Sequence, residues 1–300
     1  MAMAQSAQVA RLLSARTGCL VDLVGYTTFG DVSKAELAQI GGTGVFVSEL
    51  RKRLMSGDID FAVHSLKDLP TWQDSALILA AVPPREDPRD ALIARNGVKL
   101  ADLPAGARIG TGSPRRAAQL LLLRPDVQPV PIRGNAGTRL GKIDSGEVDA
   151  VVLAYAGLAR IGRLESVSQV FEPDEMMPAP GQGALAVECP ASRPELADLL
   201  GQIDDEGSRA ATDAERGLLA ALQAGCSAPI GAYAAGTSVL RLDAVVAAAD
   251  GGEALRASAA GPAGQAAQIG RQLAAELLSR GAGRYTDVSD GDRTNGDDAK

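Results

Sequence analysis

The chain has 300 residues, of which 46% are hydrophobic, and a formal net charge of −7. This length suggests two or three domains that each bury a core, the acidic balance argues against nucleic acid as a partner, and no apolar run approaches the roughly 18 residues of a membrane span. Cys19, Cys189 and Cys226 are too widely spaced for a zinc pattern or a disulfide framework, and the single His64 removes most histidine-based catalysis and metal chemistry.

The first residues, MAMAQSAQVARLLSA, place Gln and Ser among apolar positions, which reads as an amphipathic helix over Gln5–Ala15 and not as a signal peptide. The expected compartment is therefore the cytoplasm. Apolar runs predict strands at Leu20–Tyr26, Ile59–Val63, Leu77–Val82, Arg108–Gly110, Val127–Ile132 and Ala150–Ala154. Helical patterns fall between them at Val45–Ser56, Pro114–Leu123 and Thr138–Ser145. Such alternation predicts α/β layers with parallel strands.

Two Pro-rich segments interrupt the pattern: PPREDPRDALIA from Pro83 and MMPAPGQGALAVE from Met176. Read as crossovers, they bracket a central segment. The first domain is then discontinuous, over 1–83 and 181–203, with a second domain over 88–177. That is the layout of two-lobed binding proteins with a cleft between the lobes. From about Glu206 the character changes. A helix around TDAERGLLAALQAG leads into strands at Ala228–Ala234, Val239–Ala247 and Leu255–Ala259, then a helix over Ala263–Arg280. This predicts a small α+β third domain over 206–286. Residues 287–300 are polar and expected to be disordered.

The segment RIGTGSPRR runs a strand end into a helix that Ser113 caps and Pro114 opens. Arg115 and Arg116 follow at once. Two cations at the positive end of a helix cost up to about 1 kcal/mol each. A broken local rule of this kind points to a functional gain, here an anionic ligand; the alternative is that both side chains point into solvent. Arg133 and Arg139 flank a Gly–Asn–Ala–Gly turn after the next strand, and Arg160 follows the strand ending at Ala154. Ligands of doubly wound sheets bind beyond the carboxyl ends of strands. One cleft edge is therefore expected to carry Arg115, Arg116, Arg133, Arg139 and Arg160. Arginine outnumbers lysine 24 to 6 in the chain, and the guanidinium fork suits carboxylates. A phosphate ligand is the weaker reading, because neither GxxxxGK[ST] nor GxGxxG with a downstream acid is present.

In DIDFAVHSLKDLP a strand enters a polar turn that carries Ser65, Lys67 and Asp68. By the same rule these residues face the cleft. Asp68 there could stabilise a developing cation, since opposite charges about 4 Å apart attract by roughly 4 kcal/mol at an effective dielectric near 20. The plain alternative is a loop ion pair of Lys67 with Asp68. His64, on the strand, reads as a packed core residue.

Eight ordered motifs then carry a resemblance: FAVHSLKDLP, PREDPRDALIA, GTGSPRRAAQL, IRGNAGTRLGKI, AGLARIG, PAPGQGALAVEC, AERGLLAAL and AGCSAPIGAYA. Together, over roughly residues 2 to 285, they closely resemble the hydroxymethylbilane synthase (porphobilinogen deaminase) family. The resemblance implies two periplasmic-binding-protein-like α/β domains around a cleft and a small α+β C-terminal domain. It also implies a transferase that condenses four porphobilinogen molecules into hydroxymethylbilane with release of ammonia. A dipyrromethane cofactor is held through a thioether, and Cys226 matches its attachment point. Cys19 and Cys189 have no such match and read as structural.

Residue by residue, Asp68 matches the catalytic aspartate that stabilises the azafulvene cation. Ser65 and Lys67 match contacts to cofactor carboxylates. Thr111, Ser113, Arg115 and Arg116 match further cofactor and substrate contacts, and Arg133 with Gly134, Arg139 and Arg160 match the remaining clamps. Gln182 matches a hinge glutamine, and Phe46 a loop residue over the cleft. The implied partner is porphobilinogen, bound by a monomer with neither nucleic acid nor membrane.

Two departures accompany the match. The family opens with a strand and an Arg-x-Ser turn before the helix that here reads AMAQSAQVARLL, and this chain starts inside that helix. The expectation is either a longer natural protein or a truncated chain with exposed apolar edges. Lysines that many relatives carry near Gln39, Thr43 and Ser48 are also absent. The competing readings are an inactive truncated homologue and a non-enzymatic binding protein for a small anion; a thiol anchored at Cys226 separates the enzyme from the latter.

Overall fold

The computed structural model describes residues 1–26, 44–72, 74–224 and 228–286, with side chains from residue 47 onward in the second segment. In chain order the elements are α1 (Ala2–Thr17), α2 (Gly44–Ser56), β1 (Ala62–Ser65), a 3-10 turn (Leu66–Asp68), β2 (Leu77–Ala81), β3 (Asp90–Ala94) and β4 (Arg108–Thr111). Then come α3 (Pro114–Leu123), β5 (Gln128–Pro131), α4 (Ala136–Asp144), β6 (Ala150–Ala154), α5 (Tyr155–Arg160), β7 (Gln169–Val170), β8 (Leu185–Pro190) and α6 (Pro194–Gly201). The last part holds α7 (Glu206–Ala221), β9 (Ile230–Ala235), β10 (Val239–Ala247), β11 (Ala254–Pro262) and α8 (Ala266–Ser279).

Three sheets organise the described residues. The first has the order β1-β8-β2. Both of its pairings are antiparallel, which corrects the expected parallel neighbours. The physical reason is β8: the chain returns from its second crossover and inserts a fully buried strand between β1 and β2. α1 and α6 cover one face of this sheet, packing Val9, Leu13, Leu196 and Leu200 on Leu185, Val187 and Cys189. α2 covers the other face.

The second sheet has the order β5-β4-β6-β3-β7. β4 pairs in parallel with β5 and β6, whereas β3 runs antiparallel to β6 and β7. α3 packs on one face through Leu120, and α4 and α5 pack on the other through Leu140, Ile143 and Leu158. Helix starts follow local chemistry, with Ser113, Asn135 and Asp205 each accepting a backbone N–H bond at an N-cap. The third sheet, β11-β10-β9, is antiparallel and buries its core under α7 and α8.

Several expectations need correction. Leu20–Tyr26 forms no strand; Leu20 is 97% exposed, because no neighbouring strand accepts its hydrogen bonds. The two segments read as crossovers each hide a buried strand, β3 and β8. The strands are only five and six residues long, each carries an acidic residue, and both lie close to Pro and Gly, so the loop signal masked them. The third-domain helix begins at Glu206 rather than near Thr212. The expected disordered tail, 287–300, lies outside the described residues, as do Gln39 and Thr43. No described helix is long and apolar enough to cross a membrane.

Candidate active site

The site grows from the end of β1. The strand passes into the 3-10 turn Leu66–Asp68, whose first residue is fully buried and donates its N–H to the carbonyl of Ala184, 3.1 Å away. This seats the turn against the second crossover. Gly183 there has a φ of +89°, and a Cβ would lie 2.4 Å from the carbonyl oxygen of Glu86 in the first crossover. Only glycine lets the two crossover segments run this close together.

Beside this junction lies a cavity of about 240 Å³. Ser65, Lys67 and Asp68 line it from the turn, Arg116 from the start of α3, Asn135 and Arg139 from the start of α4, and Arg160 from the end of α5. Met1 and Gln5 close it from α1. Gln5 Nε2 donates to Ser65 Oγ at 2.7 Å. Arg139 Nε donates to the Gly134 carbonyl at 2.8 Å. Arg160 donates from Nε to Gln8 Oε1 at 3.1 Å and from Nη2 to the Gly183 carbonyl at 2.6 Å. Among the described residues neither guanidinium hydrogen-bonds a carboxylate, although Asp68 acts on Arg139 and Glu86 on Arg160 through their charge, and burial pushes both groups below their usual pKa. They remain cations on a desolvated wall, a setting that favours an entering anion.

The floor is different. Arg115 and Arg116, 3% and 5% exposed, converge on the fully buried Asp90 at the start of β3. Arg115 Nη1 lies 2.8 Å from Asp90 Oδ2, and Arg116 Nη2 lies 2.7 Å from Oδ1. Burial alone would push the Asp90 carboxyl up, but the two guanidinium groups outweigh it and hold it well below the usual carboxylate range. Gln182, also fully buried, donates to Asp90 Oδ1 at 2.9 Å and to the Pro88 carbonyl at 2.7 Å. Its Oε1 accepts from Lys67 Nζ and from Arg116 Nη2, each at 3.3 Å. Desolvation, reinforced by the charge of Arg116, pulls the Lys67 ammonium down to about 8 despite the opposing pull of Asp68 and Asp90.

The expected arginine edge thus divides. Arg116, Arg139 and Arg160 line the cavity, whereas Arg115 does not. The anion nearest the two cations at the start of α3 is the protein's own Asp90, and the burial of Arg115 corrects the solvent-facing reading. Thr111, Ser113, Arg133, Gly134 and Gln182 also stay outside the cavity lining. Thr111 Oγ1 accepts from the Ser113 N–H, and Ser113 caps α3, so both shape the turn below the cavity. Lys67 turns to Gln182 rather than forming a plain loop pair with Asp68. His64 packs in the core, with Nε2 3.2 Å from Glu188. Cys226 and the side chain of Phe46 lie outside the described residues. Sequence reading missed Asp90, Gln5 and Asn135. The signal for Asp90 was present, since two adjacent arginines at a helix start require a counter-charge.

Family models match this chain in two places. Residues 1–198 match the porphobilinogen deaminase dipyromethane cofactor binding domain, and residues 210–279 match the porphobilinogen deaminase C-terminal domain. The porphobilinogen deaminase of Thermobifida fusca is 57% identical, covering 94% of this chain and 91% of that protein. The chain belongs to the porphobilinogen deaminase family. Porphobilinogen deaminase 1 of Streptomyces coelicolor is 54% identical, over 94% of this chain and 93% of its own. Among solved structures, the Bordetella pertussis BvgS VFT2 domain matches 66% of this chain and 76% of its own at 20% identity and a TM-score of 0.41. The cavity lining combines the cations Lys67, Arg116, Arg139 and Arg160 with one side-chain carboxylate, Asp68.

Proposed function

We propose that this cavity is where the chain, as a transferase of tetrapyrrole biosynthesis, condenses four porphobilinogen molecules into hydroxymethylbilane and releases ammonia at each addition. The observation that carries the reading is the convergence of Arg116, Arg139, Arg160 and Lys67 on a space that also holds the Asp68 carboxylate. The donor set fits a dipyrromethane cofactor, which bears carboxylates and supplies the pyrrole on which the chain is built. Ser65, Lys67 and Arg116 would hold its acidic groups, with Arg133 as a further clamp and Cys226 as the attachment residue. The guanidinium groups of Arg139 and Arg160 bind the acetate and propionate of the incoming substrate by charge-assisted hydrogen bonds. Asp68 accepts the pyrrole N–H and stabilises the positive charge that develops on the substrate as ammonia leaves, a preorganised charge of the kind that dominates catalysis. Arg115, Thr111, Ser113 and Gln182 set the frame around it.

The proposed division into domains is 1–83 with 181–203, 88–177 and 206–286. It is supported by a first sheet that takes strands from both sides of the central segment. The function is tested by mass and turnover together. Asp68→Asn should keep the cofactor mass adduct and lose turnover by on the order of a hundredfold or more, as for removal of a preorganised electrostatic group. Cys226→Ala should lack the adduct. Near-normal turnover in Asp68→Asn removes its catalytic role, and an unmodified active protein removes the attachment at Cys226.

A further inference from the structure

Two consecutive residues of α7 reach the active-site region from opposite directions. Glu215 is fully buried and accepts four hydrogen bonds. Two come from Arg85 in the first crossover, at 2.7 and 3.0 Å; the others come from the backbone N–H of Gly181 in the second crossover, at 2.7 Å, and of Ala234 in β9, at 2.9 Å. Arg216 points elsewhere. It donates from Nη1 to the carbonyls of Leu66 and Leu69, at 3.3 and 2.8 Å, and from Nη2 to the carbonyl of Pro70, at 2.7 Å. One planar guanidinium therefore grips the backbone immediately before and after Lys67 and Asp68.

We propose that Arg216 is a positioning residue for Asp68: a side chain of the C-terminal unit sets the backbone of the turn that aims the reacting carboxylate. The inference rests on the catalytic reading of Asp68. The physical case is orientational. The 3-10 turn is only three residues long, and such short turns have poor internal hydrogen-bond geometry. Within it Leu69 donates to the Leu66 carbonyl at 3.2 Å, a single bond that leaves the turn's exit loosely fixed. Arg216 adds three further bonds, two of them beyond Asp68. Its rigid fork delivers them at lower entropic cost than a lysine would. The same helix ends at Ala221, five residues before the proposed attachment residue Cys226 in the chain.

An inert interdomain strut would show similar bonds, and α7 provides one for comparison. Arg209 donates to the carbonyls of Leu79 and Ala80, at 3.3 and 3.2 Å, and pairs with Asp204 at 2.7 Å. It lies outside the cavity lining. The experiment compares Arg216→Met with Arg209→Met in the full chain carrying its cofactor, with Asp68→Asn as reference. Arg216→Met should lower kcat by on the order of tenfold to a hundredfold, the scale of a misaimed catalytic group. KM should stay within about twofold, because the substrate clamps are untouched, and the cofactor mass should be retained.

Arg209→Met should lose comparable melting temperature but keep its kcat. Arg216→Lys should restore part of the rate, and millimolar methylguanidinium should rescue the kcat of Arg216→Ala while leaving that of Arg209→Ala unchanged. Equal kcat losses in the two methionine variants, or a wild-type kcat in Arg216→Met, overturn the proposal. If Arg216→Met does not fold, Arg216→Lys decides: a lowered kcat at wild-type melting temperature supports positioning, and an unchanged kcat refutes it. Normal turnover in Asp68→Asn instead refutes the underlying catalytic reading.

Discussion

The floor and the wall of the cavity use the same residue type to opposite ends. On the floor, Arg115 and Arg116 are buried and share Asp90, so one carboxylate within the protein offsets part of their combined charge, and Arg116 also lines the cavity. On the wall, Arg139 and Arg160 hydrogen-bond only carbonyl and amide groups, and Asp68 and Glu86 act on them through charge alone, so neither has a carboxylate bonded to it. A buried cation with its own counter-ion is a structural strut whose removal leaves an uncompensated charge. A desolvated cation without one is a binding group, because an anion recovers the electrostatic energy that burial removed. Position at a strand end therefore marks an arginine as belonging to the site region, while its nearest carboxylate decides which of the two jobs it does.

The contrast can be broken most sharply at Asp90. Asp90→Asn keeps the shape but removes the charge, leaving two buried guanidinium groups unpaired. The expected loss is about 3–5 kcal/mol of unfolding free energy, the usual scale for breaking a buried ion pair, read from denaturant midpoints. A wild-type midpoint would mean that the floor is not held by charge. Arg139→Leu should behave in the reverse way. It gives up one hydrogen bond to the Gly134 carbonyl, so stability should fall by only about 1 kcal/mol. The KM for porphobilinogen should rise by about tenfold or more, since a charge-assisted bond is worth roughly 1.5–3 kcal/mol. An unchanged KM would move Arg139 from the wall to the frame.

The smallest effect is expected at Lys67, which sits between floor and wall. Its folded pKa of about 8 lies below the ordinary 10.5. Below about 8 it is cationic in both folded and unfolded states. Between these values the folded chain binds fewer protons, so its contribution to stability improves as pH rises through that window. Anion binding follows the opposite course, since the charge is lost above about 8. Cofactor loading of the cofactor-free chain should fall several-fold from pH 8 to 9.5, as Lys67 loses the charge that would hold a cofactor carboxylate. Lys67→Arg should flatten the profile, and an equal decline in that variant would assign the titration to another group.

Much of this was legible from residue order. The α3 boundaries, β6 and β10 coincide with their sequence expectations, because a Ser–Pro start, the apolar run of β6 and the largely apolar β10 are local signals. The cavity residues Ser65, Lys67, Asp68, Arg116, Arg139 and Arg160 were also named from strand-end position and motif resemblance. Less legible were β3 and β8, short runs beside prolines and glycines. The strand expected at Leu20–Tyr26 did not form, since an apolar run becomes a strand only where a neighbour supplies hydrogen bonds.

By itself the sequence determined the local elements, the family and the set of cationic side chains near one edge, because caps, periodicity and ordered motifs are encoded over a few residues. Only the tertiary structure decided which arginines are struts and which are clamps. Asp90 stands 25 and 26 residues from its two partners, and Arg216 stands 150 residues from the first carbonyl it grips. Charge compensation depends on distance in space, and that distance is set only when β8 and α7 fold back against the turn of Asp68.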